Sequence, residues 1–319
     1  MAHHLIDAHG LAEVAVDRRL VDALRARTDF AWLDLRAPTD DELGLVGEAL
    51  GFHPLALEDS RSFGQRPKLD PYGDVSFLVV YGANNDEDGL VEVHCFYSER
   101  RLVTVRRDAC PAFAELRERH VRRPLCEDGP AHTLHQVVDA LVDSFFPVLA
   151  NMDDLIDAIE EAIAERPDQE QLRRIFLLKR RLIALRRVVA PQRDLVATIA
   201  NGVADLPGTG EEADRRFRDV YDHLIRLVET LDSYRDLLSG ITDVYLSTVS
   251  NRLSDITKRL AAVATIFLPL TFITGFFGQN FTWMVDHVGG LAAFLGLGIG
   301  LQLLVFAVFV VLFRRRGWF

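Results

Sequence analysis

The chain has 319 residues and a formal net charge of −11, with 49% hydrophobic and 26% charged residues. That composition excludes a wholly disordered chain. An acidic balance also argues against nucleic acid as a partner, because binding phosphates requires clustered Lys and Arg. The charge is unevenly spread: residues 260–319 carry only Asp286, Arg314, Arg315 and Arg316, a local +2, which leaves −13 on residues 1–259. An acidic body on a nearly uncharged tail suits metal cations as guests. Cys95, Cys110 and Cys126 are an odd number without CxxC spacing, which points to a reducing cytoplasm rather than a disulfide framework. The start, MAHHLIDAHG, lacks the basic-then-apolar order of a secretory signal.

Residues 1 to about 130 read as an α/β domain. Strands are expected at Phe30–Leu35, Val75–Tyr81, Leu90–Tyr97 and Leu102–Val105, which are rich in Val, Phe and Tyr. Thr39 followed by Glu42 is a capping-box signature for a helix through Ala49, and Cys110-Pro111 opens another to about Val121. There is no GxGxxG, P-loop or GxSxG pattern, so neither a nucleotide site nor an enzymatic nucleophile is expected.

Residues 131–210 read as helical. His132 to Glu165 is acidic, with Asp153, Asp154, Asp157, Glu160, Glu161 and Glu165, and Pro167-Asp168 breaks it. The following helix, to about Ala200, is basic, with Arg173, Arg174, Lys179, Arg180, Arg181, Arg186 and Arg187. Two readings fit: an antiparallel hairpin whose opposite charges face each other, or an acidic helix that gathers cations at the membrane face. Asp153, Asp157 and Glu161 repel at their four-residue spacing, which favours some partner. His132 and His135 have a spacing a metal can use but lack a further ligand nearby. Asn201–Gly210 is a loop. From Glu211 to about Gly275 the pattern predicts one helix on the order of 95 Å long, whose cytoplasmic part is residues 211–259.

Leu260–Val285 and Val288–Phe313 are uncharged runs of 26 residues each, long enough to cross a bilayer. The expected spans are 260–278 and 288–313, joined by an external loop, 279–287, and followed by a basic tail, 314–319. Lys258, Arg259 and Arg314–Arg316 flank the spans, which places both termini in the cytoplasm. In the first span Thr257, Ala261, Ala264, Leu268, Thr271, Gly275 and Gly278 recur at alternating steps of four and three, one helix face of small or weakly polar residues. Such a face either packs closely against another helix or lines a water-filled path. A path needs several copies of the chain, because two spans cannot enclose one.

The end of the first span, Phe276-Phe277-Gly278-Gln279-Asn280-Phe281, resembles the Gly-Met-Asn signature of CorA-type magnesium transporters. The stretches His53–Asp59, Gln65–Lys68, Phe217–His223, Asp243–Ser247, Thr265–Thr271 and Arg314–Trp318 are similar to that family too. The resemblance runs from about residue 30 onward. It implies a funnel-shaped homopentamer in the inner membrane, with an α/β cytoplasmic domain, a long helical stalk and two C-terminal transmembrane helices. Five copies of the first span would line one pore, with Thr257, Leu260, Leu268 and Thr271 as successive constrictions and Gly278, Gln279 and Asn280 as the selectivity filter. Magnesium dehydrates reluctantly, and a ring of neutral oxygens at Asn280 can hold it through its water shell. The resemblance further implies regulatory Mg2+ between neighbouring subunits, with Glu58, Asp59, Asp219 and Asp222 as ligands. Bound magnesium would hold the pentamer closed. Gln279 replaces the family's usual Met, Thr257 a larger apolar residue, and Asp286 is the only loop carboxylate. These departures bear on ion selectivity: magnesium uptake, with cobalt or nickel, leads over a zinc transporter of the same superfamily or a non-conducting membrane-anchored sensor.

Overall fold

The computed structural model describes all residues except 1–2, 9, 85–88, 123–128, 205, 209, 280 and 317–319. The chain forms two units, Met1–Ile241 and Thr242–Phe319.

The first unit is built on a seven-stranded sheet. Its strands are β1 (His3–Asp7), β2 (Gly10–Val14), β3 (Ala31–Arg36), β4 (Lys68–Tyr72), β5 (Val75–Ala83), β6 (Leu90–Tyr97) and β7 (Arg101–Arg106), in the order β2-β1-β3-β7-β6-β5-β4. Only β3 and β7 pair in parallel; the other neighbours are antiparallel. The four strands expected from their Val, Phe and Tyr content are the four at the centre. The three that were not expected, β1, β2 and β4, hold only Val14 and Tyr72 of those residue types and take their form from pairing.

Seven consecutive residues of β5, Phe77 to Ala83, are buried, so both faces of the sheet are covered. On one face lie α2 (Asp40–Leu50) and α3 (Pro54–Ser62), where Phe52 stacks on Phe96 with ring centroids 3.9 Å apart. The Thr39/Glu42 capping box is present and starts α2. On the other face Gly82 lets α5 (Pro130–Asp143) approach: a Cβ there would lie 2.6 Å from Leu141 Cδ2. Helices α1 (Arg18–Ala26) and α4 (Pro111–Arg122) complete the α/β part.

The helix expected from His132 to Glu165 is two, α5 and α6 (Phe145–Glu165). Ser144 sits between them, and its hydroxyl donates to Leu141 O (2.6 Å) and accepts from the amide of Ala83 (2.7 Å). Pro147 has no N–H to carry the ladder back to Asp143. Helix α7 (Gln169–Ala200) then docks on the sheet through Gln192. Strand β4 begins at Lys68, opposite Val79, so its pairing covers β5 no further than that, and the fully buried Gln192 side chain meets the next free edge groups, the N–H and C=O of Tyr81, at 2.6 and 3.0 Å. The first unit ends within α8 (Glu211–Phe277).

The second unit holds the rest of α8, a short helix α9 (Thr282–His287), and the helical stretch Leu291–Arg315. That stretch is α10 (Leu291–Ala293), a π-helical segment (Phe294–Gly300) and α11 (Leu301–Arg315). Two helices, α8 and Leu291–Arg315, are long and apolar enough to cross a membrane. Residues 282–287, expected as loop, form α9; Gly290, with φ of +91°, precedes the second span. The two spans run antiparallel. Ala262 and Ile266 pack with Phe313, joined by Leu270 and Phe309, and Gln302 Nε2 donates to Thr274 Oγ1 at 2.9 Å.

Candidate ion path and metal site

A helix turns about 100° per residue, so Ala262, Ile266 and Leu270 share the side of α8 that meets α11. Thr257, Leu260, Ala261, Ala264, Leu268, Thr271 and Gly275 fall on the opposite side, and all are exposed. The contrast is large: Ala262 and Ile266 are 2% and 8% exposed, Leu260 and Leu268 67% and 73%. A Cβ added at Gly275 would meet nothing within 4 Å, so the second span does not require that glycine. Packing of the small-residue face within the chain, one of the two readings of the stripe, is therefore not what the structure shows.

The hydroxyls of Thr257 and Thr271 donate to Leu253 O and Phe267 O, each at 2.8 Å. With their protons bound to backbone, these hydroxyls offer lone pairs only, the polarity that the hydrogens of a hydrated cation need. At the far end, Gly278 N bonds Thr274 O at 2.9 Å, and Gln279 N bonds Phe276 O at 3.3 Å. Both residues are exposed, and Asn280 lies outside the described residues. Asp286 is exposed on α9, where Trp283 stacks on His287 at 4.8 Å. Arg314 and Arg315 close α11, and Arg316 follows it.

In the first unit Glu58 is exposed on α3, and Asp59 beside it pairs with Lys68 Nζ at 2.7 Å. Asp219 and Asp222 are exposed on α8. The structure gathers a group that sequence reasoning missed. Asp139, Asp143 and His223 bring their ligand atoms within 4.8 Å of one another. His223 Nδ1 lies 3.2 Å from Asp143 Oδ1 and 4.0 Å from Asp139 Oδ1. Burial, then the charges of Asp143 and Asp219, push the Asp139 carboxyl up to about 6, with His223 and Arg119 pulling the other way. Asp219 thus belongs to the same electrostatic cluster, one helical turn before His223.

Asp139 Oδ1 is buried without a hydrogen-bond partner among the described residues, and two carboxylates with an imidazole are a donor set for a divalent cation. Asp139 and Asp143 stand four apart on α5, a signal visible in the sequence; His223 is 80 residues further on, and only the fold brings it in. His132 and His135 lie ring to ring, with centroids 6.1 Å apart, and His135 packs edge-on against Phe217. Burial lowers the pKa of His135. The charged helices turn partly toward α8: Arg186 of α7 grips Asp232 (Nε to Oδ1, 2.8 Å), and Asp153 of α6 bonds the Tyr234 hydroxyl.

Two apolar spans, a polar small-residue face left open and a carboxylate cluster define a membrane protein that handles cations. The sequence profile of the CorA-like Mg2+ transporter protein family matches residues 27–315, and the chain belongs to that family. It is 35% identical over 287 residues to the cobalt/magnesium transport protein CorA of Thermotoga maritima, covering 87% of this chain and 80% of the relative. It is 27% identical over 270 residues to the zinc transport protein ZntB of Yersinia pestis, covering 82% and 80%. The CorA magnesium transporter of Methanocaldococcus jannaschii has the same fold, with a TM-score of 0.86 at 22% identity over 100% of this chain and 99% of that one. The chain is a divalent-cation transporter of the CorA superfamily with two candidate membrane-spanning helices.

Proposed function

We propose that this chain forms a homopentameric channel for magnesium uptake across the inner membrane, with both termini cytoplasmic. The observation that carries the reading is the face Thr257–Gly275, turned away from the chain's own second span. A polar, small-residue face in a bilayer needs cover or water, and copies of itself around an axis supply both. Five copies follow from the family resemblance. Rings of Leu260 and Leu268 would close the path by dewetting, and rings of Thr257 and Thr271 would pass the hydrated ion. Gly278, Gln279 and Asn280 would hold it at the outer mouth, near Asp286, while Arg314–Arg316 fix the cytoplasmic flank. Cobalt and nickel are candidate minor cargoes. The likeness to ZntB supports zinc as the second reading.

Glu58, Asp59, Asp219 and Asp222 are the proposed regulatory carboxylates between neighbouring subunits, and Asp139, Asp143 and His223 extend the set beside Asp219. Without metal these carboxylates repel, and bound magnesium relieves the repulsion and favours the closed arrangement.

Cysteine substitution tests the open face. Leu268→Cys is expected to make magnesium uptake at least about tenfold sensitive to a charged thiol reagent, because modification plugs a narrow ring. Ile266→Cys, on the buried face, is expected to stay insensitive. The native Cys95 and Cys110 are buried, and Cys126 is replaced by Ser in both variants so that it adds no background. The reverse pattern would place the path on the other side of the helix.

A further inference from the structure

We propose that Lys68 is a tethered cation that competes with magnesium for Asp59 and so sets the cytoplasmic concentration at which the transporter closes. This rests on the reading of Asp59 as a regulatory ligand. Lys68 opens β4, and its Nζ lies 2.7 Å from Asp59 Oδ2 and 2.6 Å from Asp70 Oδ2. The ammonium also sits over the Phe77 ring, 5.5 Å from its centroid. The side chains of Lys68 and Asp59 are only 32% and 24% exposed, so solvent screens this contact less than it screens an ordinary surface pair.

The geometry makes Asp59 a shared acceptor. A divalent ion drawn to it, directly or through its water shell, comes within a few ångströms of a fixed positive charge and is repelled. Part of the charge on Asp59 is already neutralised. Both effects weaken metal binding relative to a free carboxylate. Asp70 limits the handicap. It offers Lys68 a second carboxylate at equal distance, so the ammonium keeps a partner when Asp59 turns to metal. Lys68 therefore raises the metal concentration needed for closure, and Asp70 lowers it.

The experiment uses full-length protein in proteoliposomes. It reads the magnesium concentration on the cytoplasmic face that half-inhibits uptake and, on the same samples, the concentration that half-protects against protease. Lys68→Met is expected to lower both values by about fivefold to tenfold, the scale of one nearby charge under partial screening. Asp70→Asn, which commits the ammonium to Asp59, is expected to raise both by about threefold or more. Lys68→Arg keeps the charge and is expected to stay near native. Shifts in the same direction for Lys68→Met and Asp70→Asn would mark a merely structural contact and overturn the proposal. Asp59→Asn separates the two levels. If it leaves inhibition unchanged, the regulatory reading of Asp59 fails and Lys68 has nothing to compete for. If it weakens inhibition while Lys68→Met shifts nothing, the tethered-cation proposal alone fails.

Discussion

Asp139→Asn is expected to raise the thermal midpoint of the metal-free protein at pH 7 and to reduce the increment that magnesium adds. Asp139 is partly buried, close to Asp143 and in the field of Asp219, and its carboxyl is raised from 3.8 to about 6. A raised acid binds its proton more tightly in the folded chain than in the unfolded one. Its charge therefore costs stability above about pH 6, and the cost is relieved as pH falls toward 4. The two-unit shift corresponds to about 3 kcal/mol, which partial exposure lowers to roughly 1–2 kcal/mol, or a few degrees of midpoint. Metal acts in the opposite sense. It needs the carboxylate, so magnesium protection should weaken between pH 7 and pH 5.5 as a proton takes its place. The amide removes the unfavourable charge and one ligand together. Melting curves at pH 7 and 5.5, with and without magnesium, check all four values. An unchanged metal-free midpoint with an intact magnesium increment would contradict the assignment.

Asp34→Ala is expected to cost about 3–5 kcal/mol of folding stability. Asp34 is fully buried in β3 and accepts from Thr104 Oγ1 (3.0 Å), Arg106 Nε (3.1 Å) and Nη2 (2.8 Å), and Arg117 Nη1 (3.4 Å). Trp32 Nε1 donates to the same Thr104 hydroxyl at 3.0 Å, and the Arg106 guanidinium lies over the Phe113 ring at 4.7 Å. The carboxylate holds two guanidiniums, one of them 2% exposed, and ties α4 to the parallel strand pair at the centre of the sheet. Alanine leaves Arg106 without this counter-ion in a site that water does not reach, while Arg117, 22% exposed, loses the same partner. Chemical denaturation reads the loss as a fall in midpoint. A cost below about 1 kcal/mol would mean that water enters the site and screens the arginines.

The membrane half of this molecule is plain in its sequence because a bilayer enforces a simple rule. Residues 260–285 and 288–313 carry no charge, and the helices lie where those runs lie. The stripe was legible as a face, though not its orientation, which depends on where Phe313 and Phe309 touch α8. In the soluble half, local chemistry revealed α2 through Thr39 and Glu42 and the central strands through their Val, Phe and Tyr. Strands β1, β2 and β4 escaped because His3–Asp7, Gly10–Val14 and Lys68–Tyr72 become strands by pairing rather than by propensity. The break at Ser144 depends on its bond to Ala83, 61 residues away. The Asp139–Asp143–His223 group escaped for the same reason: helix spacing joins the two aspartates, and only tertiary packing adds the histidine.

The most direct measurement is magnesium uptake into proteoliposomes that hold a magnesium-sensitive dye, comparing the native chain with Asn280→Ala and running zinc and cobalt beside it. The account predicts clear magnesium uptake by the native chain and near-complete loss on substitution, since the proposed amide ring at the mouth would hold the ion's water shell. Zinc uptake without magnesium uptake would move the cargo to zinc. Folded native protein that passes no divalent ion, or an Asn280→Ala variant that conducts as well as the native chain, would contradict the proposed path.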